Sequence, residues 1–108
     1  MAPQRPDTRS GALIRERRHR QALTGQELAR RVGRATRSVI RWERGHALPP
    51  PELIRNGNGQ PGKLAKALDT PWQELAEARA YDERVRRELR ALGETDPAVL
   101  DIEGKFGR

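Results

Sequence analysis

The stretch that most constrains this chain is Thr24 to Gly45, which carries helix start, stop and restart signals in quick succession. Thr24-Gly25-Gln26-Glu27 has the form of a capping box, in which the Thr hydroxyl and the Glu carboxylate satisfy each other's free backbone N–H groups. Leu28, Ala29 and Val32 then make a short apolar face, and Gly33 stands where a left-handed residue would end the helix. A second helix from about Ala35 to Arg44 puts Val39, Trp42 and Glu43 on one side. Thr36, Arg37, Ile40, Arg41 and Arg44 fall on the other, strongly cationic side. Gly45 closes this helix, and Pro49-Pro50-Pro51 forbids its continuation. Such a stretch folds as two short helices joined by a tight turn.

The flanks extend the same pattern, and no segment shows the two-residue alternation of a strand. An all-α, five-helix domain is therefore expected, with its last helix extended and its termini flexible. Ser10 is the candidate N-cap of the first helix, which runs to about Gln21. A short helix is expected over Glu52 to Arg55, a loop over Asn56 to Gly62, and helix again over Lys63 to Leu68. Thr70-Pro71-Trp72-Gln73 is a second capping box with Pro at the first helical position. The helix it starts could reach Leu92, roughly 33 Å at 1.5 Å per residue. Along it Leu75, Ala78, Val85, Leu89 and Leu92 form a stripe with Asp82 as its one charged interruption. This divides the chain into a flexible arm (1–10), a domain (11–76) containing a loop insertion (49–62), a helical extension (77–92) and a loose tail (93–108).

Charge is distributed unevenly. Residues 1–50 hold twelve Arg and four acids, whereas residues 51–108 hold ten Arg or Lys and eleven acids, so the net +7 arises wholly in the first half. That is the footprint of a phosphate-binding surface. The chain has no Cys and two His, which argues against disulfides, iron–sulfur clusters and a metal site, and no cofactor is expected. With Ser10 and Ser38 its only serines, it offers no converging nucleophile, base and orienting group, so an enzyme is not expected. The start carries no apolar signal segment and no run reaches membrane-spanning length, which predicts a cytoplasmic protein without a membrane partner.

Four blocks in order resemble the Cro and phage-repressor, or Xre-type, helix-turn-helix family. Gly11, Ile14, Arg15 and Arg18 match its first helix. Leu23-Thr24 with Glu27-Leu28-Ala29 match the second, and Gly33 to Gly45 (GRATRSVIRWERG) matches the recognition block. Lys63 to Leu68, followed by Trp72-Gln73-Glu74-Leu75, matches the last helix pair. Three departures stand out. Gly25 occupies the place of the family's phosphate-binding Gln, with Gln26 one residue later; Arg17 and Arg34 sit at commonly apolar positions; and the 49–62 segment is longer than usual. The resemblance implies that Arg18 and Glu43 form the family's internal ion pair between the first and third helices.

It also implies binding to double-stranded DNA, which the residues support on their own chemistry. A major groove about 12 Å wide admits one helix, whose exposed side must reach base edges. Arg37 and Arg41 can pair bidentately with guanine, Thr36 can hydrogen-bond a base or a phosphate, and Ile40 either meets a thymine methyl or is buried. Thr24, Gln26, Ser38, Arg44, Arg34 and Arg15 are the candidate phosphate contacts, with Arg17, Arg30 and Arg31 as further ones. The expected function is a sequence-specific transcriptional regulator, a repressor acting as a homodimer on a pseudo-palindromic operator. Leu75, Ala78, Val85, Leu89 and Leu92 are the candidate dimer surface, unless the stripe folds back on the domain. The competing reading is an antitoxin-like module whose C-terminal helix or tail binds a protein partner while its DNA binding is autoregulatory. RNA recognition lacks the stacking aromatics it would need.

Overall fold

Thr8, rather than Ser10, opens the first helix. In the computed structural model, which describes residues 8–91, α1 spans Arg9–Arg20. The Thr8 hydroxyl accepts from the Gly11 backbone N–H at 3.0 Å. Ser10 lies inside the helix, so the arm expected over 1–10 loses at least its last three residues to the fold. The remaining helices are α2 (Gly25–Val32), α3 (Thr36–Arg44), α4 (Pro51–Ile54), α5 (Lys63–Ala67) and α6 (Trp72–Ala91). Helix accounts for 69% of the described residues and strand for none, so the class is all-α. Six helices form among the described residues, and the short one expected over Glu52 to Arg55 is the single turn α4, one residue earlier than its expected bounds. Leu92 and residues 93–108, to which the sequence assigned a helix end and a tail, lie outside the described residues.

The local signals explain where α2 and α3 stop. Gly33 and Gly45 adopt φ of 70° and 80°, the left-handed conformation that glycine takes without a Cβ clash, and the chain turns at each. The Gly33 turn is closed by the Arg34 N–H donating to the Ala29 carbonyl at 2.9 Å. At Gly11 the need is different: a Cβ there would run into the Trp42 carbonyl, so α1 can lie against the end of α3 only because that position is bare.

The core is one contiguous cluster drawn from every helix. Ile14 of α1, Leu28 and Val32 of α2, and Val39 and Trp42 of α3 pack with Leu53 and Ile54 of α4, Leu64 of α5, Leu68 at the C-cap of α5 and Leu75 of α6. Packing runs α1 against α3 and α6, α2 against α3 and α5, and α4 against α5 and α6. The insertion over 49–62 is not a bare loop. Pro49 is buried, α4 lies within it, and its turn is held by the Asn56 side-chain oxygen, which accepts from the Asn58 and Gln60 N–H groups at 2.8 and 3.0 Å. An antiparallel bridge between Arg55 and Pro61 then closes it.

The stripe on α6 is corrected by the packing. Leu75 has no exposed surface and Ala78 is buried, so both belong to the molecule's own interior and neither is available as a dimer surface. Val85 and Leu89 remain half-buried. Asp82, the charged interruption, is 2% exposed and faces the start of α1. Its two oxygens accept from the Arg9 N–H at 2.8 Å, the Ser10 N–H at 2.9 Å and the Ser10 hydroxyl at 2.5 Å. With Thr8 holding Gly11, the first three orphan N–H groups of α1 are all satisfied, two of them by a carboxylate seventy residues away in sequence. The boundary expected at residue 76 therefore cuts through the folded unit.

Candidate nucleic-acid interface

The reciprocal bonds of the α2 cap are both present: the Thr24 N–H donates to Glu27 Oε1 at 2.8 Å and the Glu27 N–H to Thr24 Oγ1 at 3.0 Å. The two hydrogen bonds from Thr24, followed by the nearby Arg31 and Arg30 charges, hold the Glu27 carboxyl below its ordinary pKa. A firmly started α2 buries Leu28, Ala29 and Val32, against which α3 packs Val39 and Trp42. The inward face of α3 is thereby fixed, and its outward face follows from the helical repeat.

That outward face carries Arg37, Ile40, Arg41 and Arg44, all exposed, with Thr36 and Ser38 half-buried beside them. Ile40 is 42% exposed, so the alternative that it is a core residue is ruled out. Among the described residues Arg37, Arg41 and Arg44 have no ion-pair partner, and Arg30 and Arg31 of α2 are likewise unpaired and exposed. The first turn of α3 has no side-chain cap, which leaves its N-terminal N–H groups to the surroundings.

Behind this face, the Arg18 Nε and one terminal nitrogen donate to the two Glu43 oxygens at 2.6 and 3.0 Å, a bidentate pair joining α1 to α3. The third Arg18 nitrogen donates to the Leu23 carbonyl at 2.9 Å, which ties the α1–α2 turn to the same node. The Glu43 hydrogen bond raises the Arg18 pKa despite desolvation. Arg15 adds a bond to the Glu43 carbonyl at 3.0 Å, placing a cation at the C-terminal end of α3, where the helix dipole favours one. Arg15 is thus turned toward the domain, and its first role is to hold α3 rather than to meet a phosphate.

The other candidate contacts divide in the same way. Gln26 is exposed on the first turn of α2, while the Thr24 oxygen serves the cap. Arg34 is exposed but shares its guanidinium with Glu52 at 3.3 Å. Arg17 leaves the surface set: it reaches Glu74 at 3.0 Å and Thr70 at 3.4 Å, so an arginine at a commonly apolar position is accommodated by polar partners from the start of α6. Two lysines were not singled out from the sequence. Lys63 and Lys66 of α5 line, with Arg34 and Glu52, a cleft of about 560 Å³ next to the Gly33 turn. Their spacing on α5 was legible, but nothing in it placed α5 beside that turn. Among the described residues no three His, Cys, Asp or Glu side chains gather to hold a metal ion, and no helix is long and apolar enough to cross a membrane. Comparison with known proteins yields no matching protein-family model, curated protein or solved structure.

Proposed function

We propose that this protein binds duplex DNA with α3 in the major groove and acts as a sequence-specific transcriptional regulator of the Cro and phage-repressor type, in the cytoplasm. The observation that carries the reading is the two-faced character of α3. Val39, Trp42 and Glu43 anchor one face, while Arg37, Ile40, Arg41 and Arg44 stand exposed on the other. Holding arginines on a rigid helix costs stability through mutual repulsion unless an anion repays it, and the bidentate guanidinium suits guanine O6 and N7 or a phosphate. In this reading α1, α2, α3, α5 and α6 stand for the five helices of the repressor arrangement, and α4 with its turn is an insertion. Arg37 and Arg41 read bases with Thr36 and Ile40. Arg44, Gln26, Ser38, Arg30 and Arg31 meet phosphates.

Operator binding as a homodimer doubles the contacts and gives specificity that a single helix lacks, and occlusion of a promoter would then repress. Selection of bound sequences from a random duplex library at near-physiological salt tests all of this. Enrichment of a G-containing inverted repeat with half-sites about one helical turn, or roughly 34 Å, apart is expected. Binding that is salt-sensitive but enriches no sequence would overturn the regulator reading and favour a protein-partner module. Arg37→Ala and Arg41→Ala should each cost about 1–3 kcal/mol at the selected site and relax preference at one base pair; equal losses on random DNA would reassign them to phosphates.

A further inference from the structure

A second cluster of arginines lies away from the exposed face of α3. The segment that follows Gly45 runs beside the second half of α6, and the two enclose a cleft of about 460 Å³ whose walls include His46, Arg79, Glu83, Arg86, Arg87 and Arg90. On α6 these residues recur at intervals of three and four, so they share one side of the helix. Among the described residues four guanidiniums and one carboxylate line it, and that carboxylate is already engaged. Arg79 pairs with Glu83 at 3.1 Å and donates through Nε to the Pro49 carbonyl at 2.6 Å. Among the described residues Arg86, Arg87 and Arg90 have no ion-pair partner.

A solvated charge run would leave every guanidinium nitrogen to water. Here one is different: Arg86 Nε is buried and has no hydrogen-bond partner, the sole such side-chain atom among the described residues. A buried N–H without an acceptor is expensive, and more so on a cation. The ligand that fits these three unpaired guanidiniums must be anionic and must offer several oxygens to planar donors; a phosphate group does both, and Arg86 brings its Nε to it by turning that nitrogen out of its enclosed position.

We propose that this cleft is a phosphate-binding site and that, resting on the reading of α3 as the DNA-reading helix, it takes a phosphodiester of the same duplex. His46 directly follows the Gly45 cap that ends α3, so the wall of the cleft begins two residues along the chain from Arg44. Duplex leaving α3 at that end would meet a second backbone clamp supplied by α6. The clamp carries no base information and acts on affinity alone.

The test uses the full chain and the variant Arg86→Gln/Arg87→Gln/Arg90→Gln, which places helix-compatible neutral residues on a surface-lining turn. Affinity for the selected duplex is measured over a series of KCl concentrations. Each phosphate neutralised contributes about 0.9 to the slope of log K against log salt, so with one phosphodiester in the cleft the variant slope should be shallower by about one with base preference unchanged. Arg87→Gln/Arg90→Gln, which keeps Arg86 with its buried Nε, should be shallower by a smaller amount and serves if the triple variant melts early. Separately, pyrophosphate is titrated into the wild-type chain while the Arg86 Nε–Hε resonance is followed by NMR; a saturable shift is expected. No shift together with unchanged slopes overturns the site while leaving α3 as the reader. A pyrophosphate shift with unchanged slopes overturns the DNA assignment in favour of a small phosphate ligand. Failure of the wild-type chain to bind any duplex refutes the α3 reading, and with it the DNA assignment, and the pyrophosphate titration then decides the anion site by itself.

Discussion

Asp82 and Glu43 are both buried carboxylates, and each joins elements distant in sequence. Asp82 accepts three hydrogen bonds at the start of α1, where its charge also meets the positive end of the helix dipole. Asp82→Ala would strand two N–H groups and a hydroxyl at a buried contact. It should destabilise the fold by about 3 kcal/mol, at about 1 kcal/mol per lost bond, as read by urea unfolding. An unchanged midpoint would mean that water reaches the α1 terminus as well as the carboxylate does. For Glu43 the risk is the partner left behind. Glu43→Ala leaves Arg18 largely enclosed without its counter-charge and should cost about 3 kcal/mol, whereas Arg18→Met/Glu43→Leu should cost far less because no charge remains buried. Similar losses in the single and double variants would show that packing, not charge, holds α1 against α3.

Among the elements, α2 depends most on its own termini. Thr24 and Glu27 hold the start through two reciprocal bonds, of which the one accepted by the Glu27 carboxyl is stronger when that group is ionised, and the Glu27 carboxyl is depressed accordingly. A depressed folded-state pKa stabilises above the ordinary glutamate range, and that contribution disappears as pH falls through the folded value. Thermal stability should therefore decline on acidification in the wild-type chain, and Glu27→Gln should remove part of that decline while lowering stability at neutral pH. Equal pH profiles would place the acid sensitivity elsewhere. The cap matters beyond α2, since Leu28, Ala29 and Val32 are the surface on which α3 seats Val39 and Trp42. Fraying of α2 would loosen the register of Arg37 and Arg41 without touching either.

The whole molecule is closed by α6. Leu75 fills the core, Ala78 is buried, Asp82 holds the start of α1, and Arg79 holds the Pro49 carbonyl, so the last helix ties the α1 start to the chain beyond α3. A chain ending at Ala76 should lose cooperative melting in circular dichroism, while one ending at Ala91, which keeps every core residue among those described, should melt cooperatively. Cooperative melting of the shorter chain would restore residue 76 as a domain boundary.

Much of this could be read in one dimension because it is local. The box at Thr24 and Glu27, the stops at Gly33 and Gly45, and the division of α3 into an apolar and a cationic side depend on residues within a turn or two of one another. Hydrogen-bond reach and the helical period are enough to decide them. What escaped was decided across long separations. Ser10 reads as a good cap by its chemistry, but Thr8 takes the position because Asp82 claims Ser10 from the other side. The α6 stripe reads as a surface because periodicity reports that a helix has an apolar side and is silent on what covers it; α1 and the core cover Ala78 and Leu75. Arg15 and Arg17 read as free cations until Glu43, Glu74 and Thr70 are brought beside them. Sequence by itself determined the helices and the polarity of their faces, since those are set by short-range sterics and hydrogen bonding. Tertiary structure alone decided which charges are spent inside the molecule and which, like those of Arg37, Arg41 and Arg90, have no ion-pair partner among the described residues, because Coulomb and desolvation energies depend on distances that spacing along the chain does not encode.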